Sequence, residues 1–190
     1  MNFLHRWLCS SKRWKQTVEQ FVIPWALEDL DLGPEIVEIG PGYGAATAVL
    51  QNRVEQLTCV EIDTRLAERL RRRSLNRNVK VLCEDATAMS LPDASFDGAL
   101  CFTMLHHIAS TSQQNRLLTE VFRILRPKGI FAGTDSIDSR FFGLIHLFDT
   151  CVLVDPERFS DRLSAAGFQN VQVDVNLYAF RFRAQKPSLA

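Results

Sequence analysis

The sequence predicts an α/β fold, a mostly parallel sheet covered by helices on both faces. Three observations carry this. Short apolar, β-rich runs alternate with amphipathic stretches five times, the pattern of strand–helix units laid side by side. The first run ends in Gly40-Pro41-Gly42-Tyr43-Gly44, a turn that closes a strand and opens a helix. The last two runs, Val171 to Val175 and Leu177 to Arg183, meet around Asn176. A pair that close must be antiparallel, because a parallel crossover needs a dozen or more residues. Five strands and this hairpin make a seven-stranded sheet with an antiparallel last strand.

Ser10 and Ser11 offer caps for a leading helix whose Trp14, Val18, Phe21, Val22 and Trp25 share one face. Pro24 is expected to kink or break it, and Gly33-Pro34 to stop it. Strand one covers Ile36 to Ile39, and after the glycine turn a helix runs to about Arg53. Strand two, Leu57 to Ile62, ends in Glu61-Ile62-Asp63. The following helix, about Thr64 to Ser74, pairs Glu68 with Arg72 across one turn. Its Arg69-to-Arg73 run is a solvated helix face rather than a nucleic-acid patch, given the balanced charge. Strand three, Val79 to Cys83, leads into Glu84-Asp85-Ala86. Strand four, Gly98 to Phe102, leads into Thr103-Met104-Leu105-His106-His107. A helix capped near Ser110 to Ser112 carries Leu117, Leu118, Val121, Ile124 and Leu125 at helical spacing. Arg126-Pro127-Lys128-Gly129 ends it and turns into strand five, Ile130 to Thr134. Asp155-Pro156-Glu157 starts the last helix and Gly167 stops it. The final run alternates Leu177, Ala179 and Arg181 against Tyr178, Phe180 and Phe182.

The 190 residues suit one compact domain, with 1–34 a helical segment covering the site and 35–190 the body. Basic and acidic residues balance at 22 each, so no bulk attraction to nucleic acid or anionic membrane is implied. The five cysteines are scattered, with Cys59, Cys83 and Cys101 in strand-like runs. With no CxxC pair and no Cys/His cluster along the chain, neither disulfides nor a metal site is expected. Buried thiols in a cytoplasmic protein are the reading. The N-terminus lacks the apolar core of a signal peptide, and no apolar stretch is long enough to span a membrane.

In an open parallel sheet, ligands bind outside the carboxyl ends of the strands, where every polar cluster above falls. Gly40 to Ala45 satisfies the dinucleotide fingerprint, with Glu61 at the expected distance for a ribose partner. Three features argue against a dinucleotide. Glu38 aims a carboxylate where a pyrophosphate would lie and suits a cationic ligand instead. Asp85 adds a third acid at the end of strand three. The chain also leaves little room for a separate hydride-acceptor domain.

Taken together, Glu38 to Gly44, Glu61, Asp85-Ala86, the segment from Phe96-Asp97 to His107, and Leu125 to Gly129 resemble the Rossmann-like, class I S-adenosylmethionine (SAM)-dependent methyltransferases. The resemblance runs in order over about Ile36 to Thr134. It implies SAM as cofactor and S-adenosylhomocysteine as product. It places Glu38 toward the methionine part, with Gly40, Pro41, Gly42 and Gly44 packing backbone against the cofactor. Glu61 would accept the ribose hydroxyls and Ile62 would pack on adenine. Asp85 would bond the adenine amino group with Ala86 offering its N–H, and Phe102 and Thr103 would lie under the methionine moiety. Methyl transfer from a sulfonium needs alignment more than acid catalysis, so no catalytic triad is required.

His106 and His107 stand where an acceptor would approach, as a general base or as loop and cap residues. Asp135 and Asp138 follow strand five in the same two senses. The segment from Arg140 to Asp149 is either core or, with Trp7 and Trp14, the wall of an apolar pocket. The reading is methyl transfer to a small hydrophobic or aromatic metabolite, without nucleic acid or membrane span. The Asp/Asn-Pro-Pro-aromatic motif of nitrogen methylation is absent after strand four, where Cys101-Phe102-Thr103-Met104 stands. The alternatives are a non-catalytic SAM-binding homologue working through a partner, and an NAD oxidoreductase.

Overall fold

Consecutive residues of the central strands point to opposite faces, and both faces are apolar because helices cover both. The computed structural model describes residues 2–73, 76–139, 142, 143, 146, 149 and 151–188. Strands β1 (Glu35–Ile39), β2 (Gln56–Val60), β3 (Val79–Leu82), β4 (Phe96–Phe102), β5 (Leu125–Ser136), β6 (Gln169–Val175) and β7 (Ala179–Gln185) form one sheet ordered β3-β2-β1-β4-β5-β7-β6. β1 to β5 are parallel, and β7 runs antiparallel to both neighbours. This is the expected α/β architecture.

Val37, Ile39, Ala99, Cys101 and Phe131 face helices α6 (Thr111–Ile124) and α7 (Pro156–Ala165). Their neighbours Ile36, Leu100 and Ala132 face the other layer. That layer holds α2 (Lys12–Thr17), α3 (Ile23–Ala26), α4 (Thr47–Leu50) and α5 (Thr64–Arg71), preceded in the chain by α1 (Phe3–Ser10). Phe131, Phe159, Phe180 and Phe182 are fully buried, with Phe182 in edge contact with Phe131 at 4.8 Å and with Phe159 at 5.1 Å. Each contributes about 1.5–3 kcal/mol by leaving water, so the terminal hairpin is part of the core. A Cβ on Gly133 would collide with the Cys101 carbonyl, so β4 and β5 pair only with glycine there.

Several boundaries differ from expectation. Two helices lead the chain. Asn2 caps α1, and Ser11 caps α2 by accepting from the Trp14 N–H. Pro24 neither breaks nor ends the segment: a π-helical turn, Val18–Val22, precedes it and runs on into α3. Widened turns of that kind re-satisfy backbone groups that a proline would orphan. α4 is a single turn rather than a helix to Arg53, and α5 ends at Arg71, with Ser74 outside the described residues. β5 begins at Leu125 with no separating turn, because Lys128 at φ +67° and a register shift opposite Phe96 absorb the Pro127-Lys128-Gly129 bend within the strand. Leu177 and Tyr178 are not strand residues but the exposed hairpin tip, where Asn176 accepts from the Tyr178 and Ala179 N–H groups. Cys83 lies exposed beyond β3, whereas Cys59 and Cys101 are buried. Among the described residues no helix is long and apolar enough to cross a membrane.

Candidate active site

Above the carboxyl ends of β1 to β5 lies a cavity of about 1350 Å³, more than the 300–1,000 Å³ usual for one ligand. All the residues expected to hold the cofactor line it except Gly44. On the β1–β2–β3 side the wall is backbone and carboxylate. The glycines have distinct duties. Gly42 (φ +54°) has no atom of the described residues, its chain neighbours aside, within 4 Å of where a Cβ would stand, so its missing side chain leaves open space on the cavity wall. A Cβ on Gly44 would instead meet Leu70 at 2.6 Å and Arg73 at 2.8 Å. Gly44 thus lets the turn pack on α5 rather than approach a ligand, a correction to its expected role.

The N–H groups of the turn are mostly engaged within the protein. The Gly42 N–H donates to Glu61 Oε2 at 2.9 Å, and the Gly44 N–H to the Pro41 carbonyl at 2.8 Å. Glu61 Oε1 accepts from the Asp63 N–H at 2.9 Å, which holds the carboxylate at the cavity rim. Glu38 is only 2% exposed and accepts from the Thr47 hydroxyl at 2.6 Å. Burial pushes its carboxyl up to about 7, and burial also raises that of Glu61. A cationic ligand would favour the ionised form of both. Asp85 is exposed and accepts from the Thr87 N–H, with Ala86 beside it. Ile62 presents an apolar, 67%-exposed side chain to the cavity. Phe102 and Thr103 close the floor. Thr103 sits at φ +51°, a left-handed conformation costly for a β-branched residue; its N–H is held by the Thr134 carbonyl at 2.8 Å.

The β4–β5 side is different. His106 is buried on a 3-10 turn, Leu105–His107. Its Nδ1 bonds Asp135 Oδ1, and its backbone N–H donates to Asp135 Oδ2 at 3.0 Å. Gln114 ties this turn down, donating from Nε2 to the Leu105 carbonyl at 3.1 Å and the Val152 carbonyl at 2.8 Å. Asp135 is therefore the anchor of His106. His107 lines the cavity beside it; burial, then neighbouring imidazoles, push it down to about 2.

His5 from α1 and His146 complete a group that contains all four histidines of the chain. The rings of His106 and His107 are 4.1 Å apart, and those of His5 and His146 4.3 Å. His5 and His146 were not singled out from sequence; the only signal was that the chain has so few histidines. Trp14, Val18, Phe21, Val22, Trp25 and Phe142 give the cavity an apolar wall. Phe21 is 67% exposed, so part of the leading helical face meets the opening rather than core. Trp7 does not join it: it is 62% exposed and off the cavity. The hairpin tip residues Leu177 and Tyr178 reach the cavity, a contribution hidden by reading them as strand. Of the segment from Arg140 to Asp149, Phe142 and His146 line the cavity, while Phe141, Leu144 and Phe148 lie outside the described residues.

A family model described as methyltransferase domain matches residues 37–133, half of the chain. A ribosomal RNA small subunit methyltransferase A of Fusobacterium nucleatum is 42% identical over 66 residues, 34% of this chain and 25% of that protein. An uncharacterized methyltransferase of Mycobacterium bovis is 30% identical over 97 residues, 51% of this chain and 48% of that protein. The chain thus spans at most about half of these curated relatives. Among solved structures, a SAM-dependent methyltransferase from Aquifex aeolicus superposes with a TM-score of 0.72 at 19% identity, covering 90% of this chain and 92% of that one. A chain from the complex containing the Haloferax volcanii Trm112 methyltransferase activator gives 0.77 at 14% identity, covering 98% and 99%. At such identities the structural likeness establishes the fold.

Proposed function

The chain belongs to the methyltransferase-domain family, with the class I Rossmann-like fold, and we propose that it is a SAM-dependent methyltransferase acting on a small hydrophobic or aromatic acceptor. The observation that carries this is a single cavity with two unlike ends, large enough for a cofactor and a second molecule. The polar end fits SAM. Gly42 leaves room against backbone, Glu61 and Asp85 offer acceptors to ribose hydroxyls and an amino group, and Glu38 places a carboxylate behind the positively charged part. SAM, when bound, supplies an activated methyl group whose leaving atom departs as a neutral thioether. The protein then has to orient the acceptor, exclude water and accept a proton where the nucleophile carries one.

The apolar wall of Trp14, Val18, Phe21, Trp25 and Phe142 supports an apolar acceptor. The leading segment 1–34 is read as the cover of that end and 35–190 as the body. Imidazole Nε2 of His106, whose Nδ1 is engaged by Asp135, is the group that would take a proton; His107, held low by burial and neighbouring imidazoles, suits packing against the acceptor rather than proton transfer. The likeness to ribosomal RNA enzymes covers a minor part of both chains, and the balanced charge supplies no attraction to phosphate. The buried free thiols Cys59 and Cys101 suit a reducing, cytoplasmic setting.

Calorimetry with SAM, S-adenosylhomocysteine and NAD(H) tests the cofactor: binding of NAD(H) without SAM would sink the reading. A screen of small apolar acceptors with labelled-methyl SAM then tests turnover. Phe142→Ser should raise the acceptor KM about ten-fold while leaving the SAM Kd unchanged, as loss of part of an aromatic contact predicts. Equal loss of both would make Phe142 a core residue.

A further inference from the structure

We propose that His5, His107 and His146 form a binding site for one divalent transition-metal ion of the zinc class, on the β4–β5 side of the cavity. A ring nitrogen from each lies within 4.8 Å of those from the other two. Donors around a tetrahedral ion with bonds of about 2.0–2.1 Å stand about 3.3 Å apart, so modest side-chain rotation closes the triangle. The three rings lie against one another, with centroids 5.0 Å apart for His5–His107, 4.3 Å for His5–His146 and 5.7 Å for His107–His146.

Hydrogen bonding distinguishes this cluster from packed core imidazoles. His5 Nδ1 lies 3.1 Å from Asp149 Oδ2, and His146 Nδ1 lies 2.9 Å from the Phe142 carbonyl. A neutral imidazole has one N–H; giving it outward at Nδ1 leaves the Nε2 lone pair for the centre. A carboxylate or carbonyl behind each ligating histidine is the arrangement that orients imidazoles in metal centres. His146 Nε2 is buried and has no hydrogen-bond partner among the described residues. A buried acceptor left unpaired is costly, and a cation bound by the rings removes that cost at His146. Three nitrogen ligands facing a cavity leave the fourth position open, as in centres that bind a further ligand rather than purely structural ones.

A second trio, His106, His146 and Cys151, meets the same distance criterion and shares His146. It is set aside on geometry: Cys151 is not among the residues lining the cavity, whereas His5, His107 and His146 all are. The site stands independently of the methyl-transfer reading, because every residue in it is placed by protein contacts alone.

The test is titration of chelator-stripped full-length protein with cobalt(II), followed by visible absorption and displaced by zinc(II). One equivalent should bind, with the intense bands of a tetrahedral ion. His5→Ala and His146→Ala should each weaken binding about a hundred-fold or more, and Asp149→Asn about ten-fold as an outer partner. Cys151→Ser should change nothing. Circular dichroism and thermal unfolding confirm that each variant is folded, and His107→Asn stands in for any that is not. Absence of saturable binding at one equivalent, or affinity unchanged in folded His5 and His146 variants, overturns the site. A thiolate-to-cobalt charge-transfer band lost in Cys151→Ser overturns this ligand set in favour of the second trio.

Discussion

The two ends of the cavity are built by opposite means. On the β1–β2–β3 side each functional group sits at the end of a strand or in the turn after it, and its partners are mostly close in the chain: Gly42 with Glu61, Glu61 with Asp63, Asp85 with Thr87. On the β4–β5 side the partners come from afar: His106 bonds Asp135, His5 bonds Asp149, and Gln114 bonds Val152. The first end is a property of a sheet edge. The second is an assembly of separate segments. Damage at the first should therefore appear as lost ligand binding, and damage at the second as lost stability or lost acceptor specificity.

The largest expected effect is at Glu61. With Glu61 accepting both ribose hydroxyls as proposed, Glu61→Ala should cost about 3 kcal/mol of SAM binding, near a hundred-fold in Kd. Calorimetry reads it directly, and an unchanged constant would move the cofactor elsewhere. Comparable in size is a pH dependence from Glu38. Its carboxyl is raised from 4.5 to about 7 in the folded protein, so the folded state binds the proton more tightly than the unfolded chain. That contribution is fully present below pH about 4.5 and is lost as pH rises through about 7, a change of about 3 kcal/mol. Urea unfolding of the ligand-free protein across this range should show the decline, and Glu38→Gln should flatten it. A slope that persists in Glu38→Gln would assign it to another group.

Next comes Asp135→Ala, which strips His106 of both its Nδ1 and its backbone acceptor and should cost about 2 kcal/mol of stability. Because this is the assembled end, SAM affinity in the folded variant should stay within two-fold of the parent. A parallel loss of SAM binding would erase the distinction between the ends. The smallest effect separates two glycines. Gly42→Ala should lose about 1 kcal/mol, from its left-handed backbone alone. Gly44→Ala carries the same backbone strain plus a collision with Leu70 and Arg73 and should lose more. Equal melting temperatures would refute the division of labour between them.

Most of the β1–β2–β3 end of the cavity was legible in the sequence because it is local. Strand periodicity, a turn that needs positive φ, and acids at strand ends are short-range signals, and β1 to β5 convert chain order into a common edge. The expectations that failed were also local rules overridden by context. Pro24 was absorbed by a π-helical turn, Gly44 proved to be a packing glycine, and Leu177 and Tyr178 left the strand pattern to form the hairpin tip.

By itself, then, the sequence determined the α/β alternation, the strand-end acids and the methyltransferase-like glycine turn, since each depends on residues within a few positions of one another. Only the tertiary structure decided that His5, His106, His107 and His146 share one place and that Asp135 and Asp149 stand behind them. No spacing rule encodes that meeting. It depends on where α1 docks over the sheet and where the chain passes after β5, which the packing of the whole molecule sets.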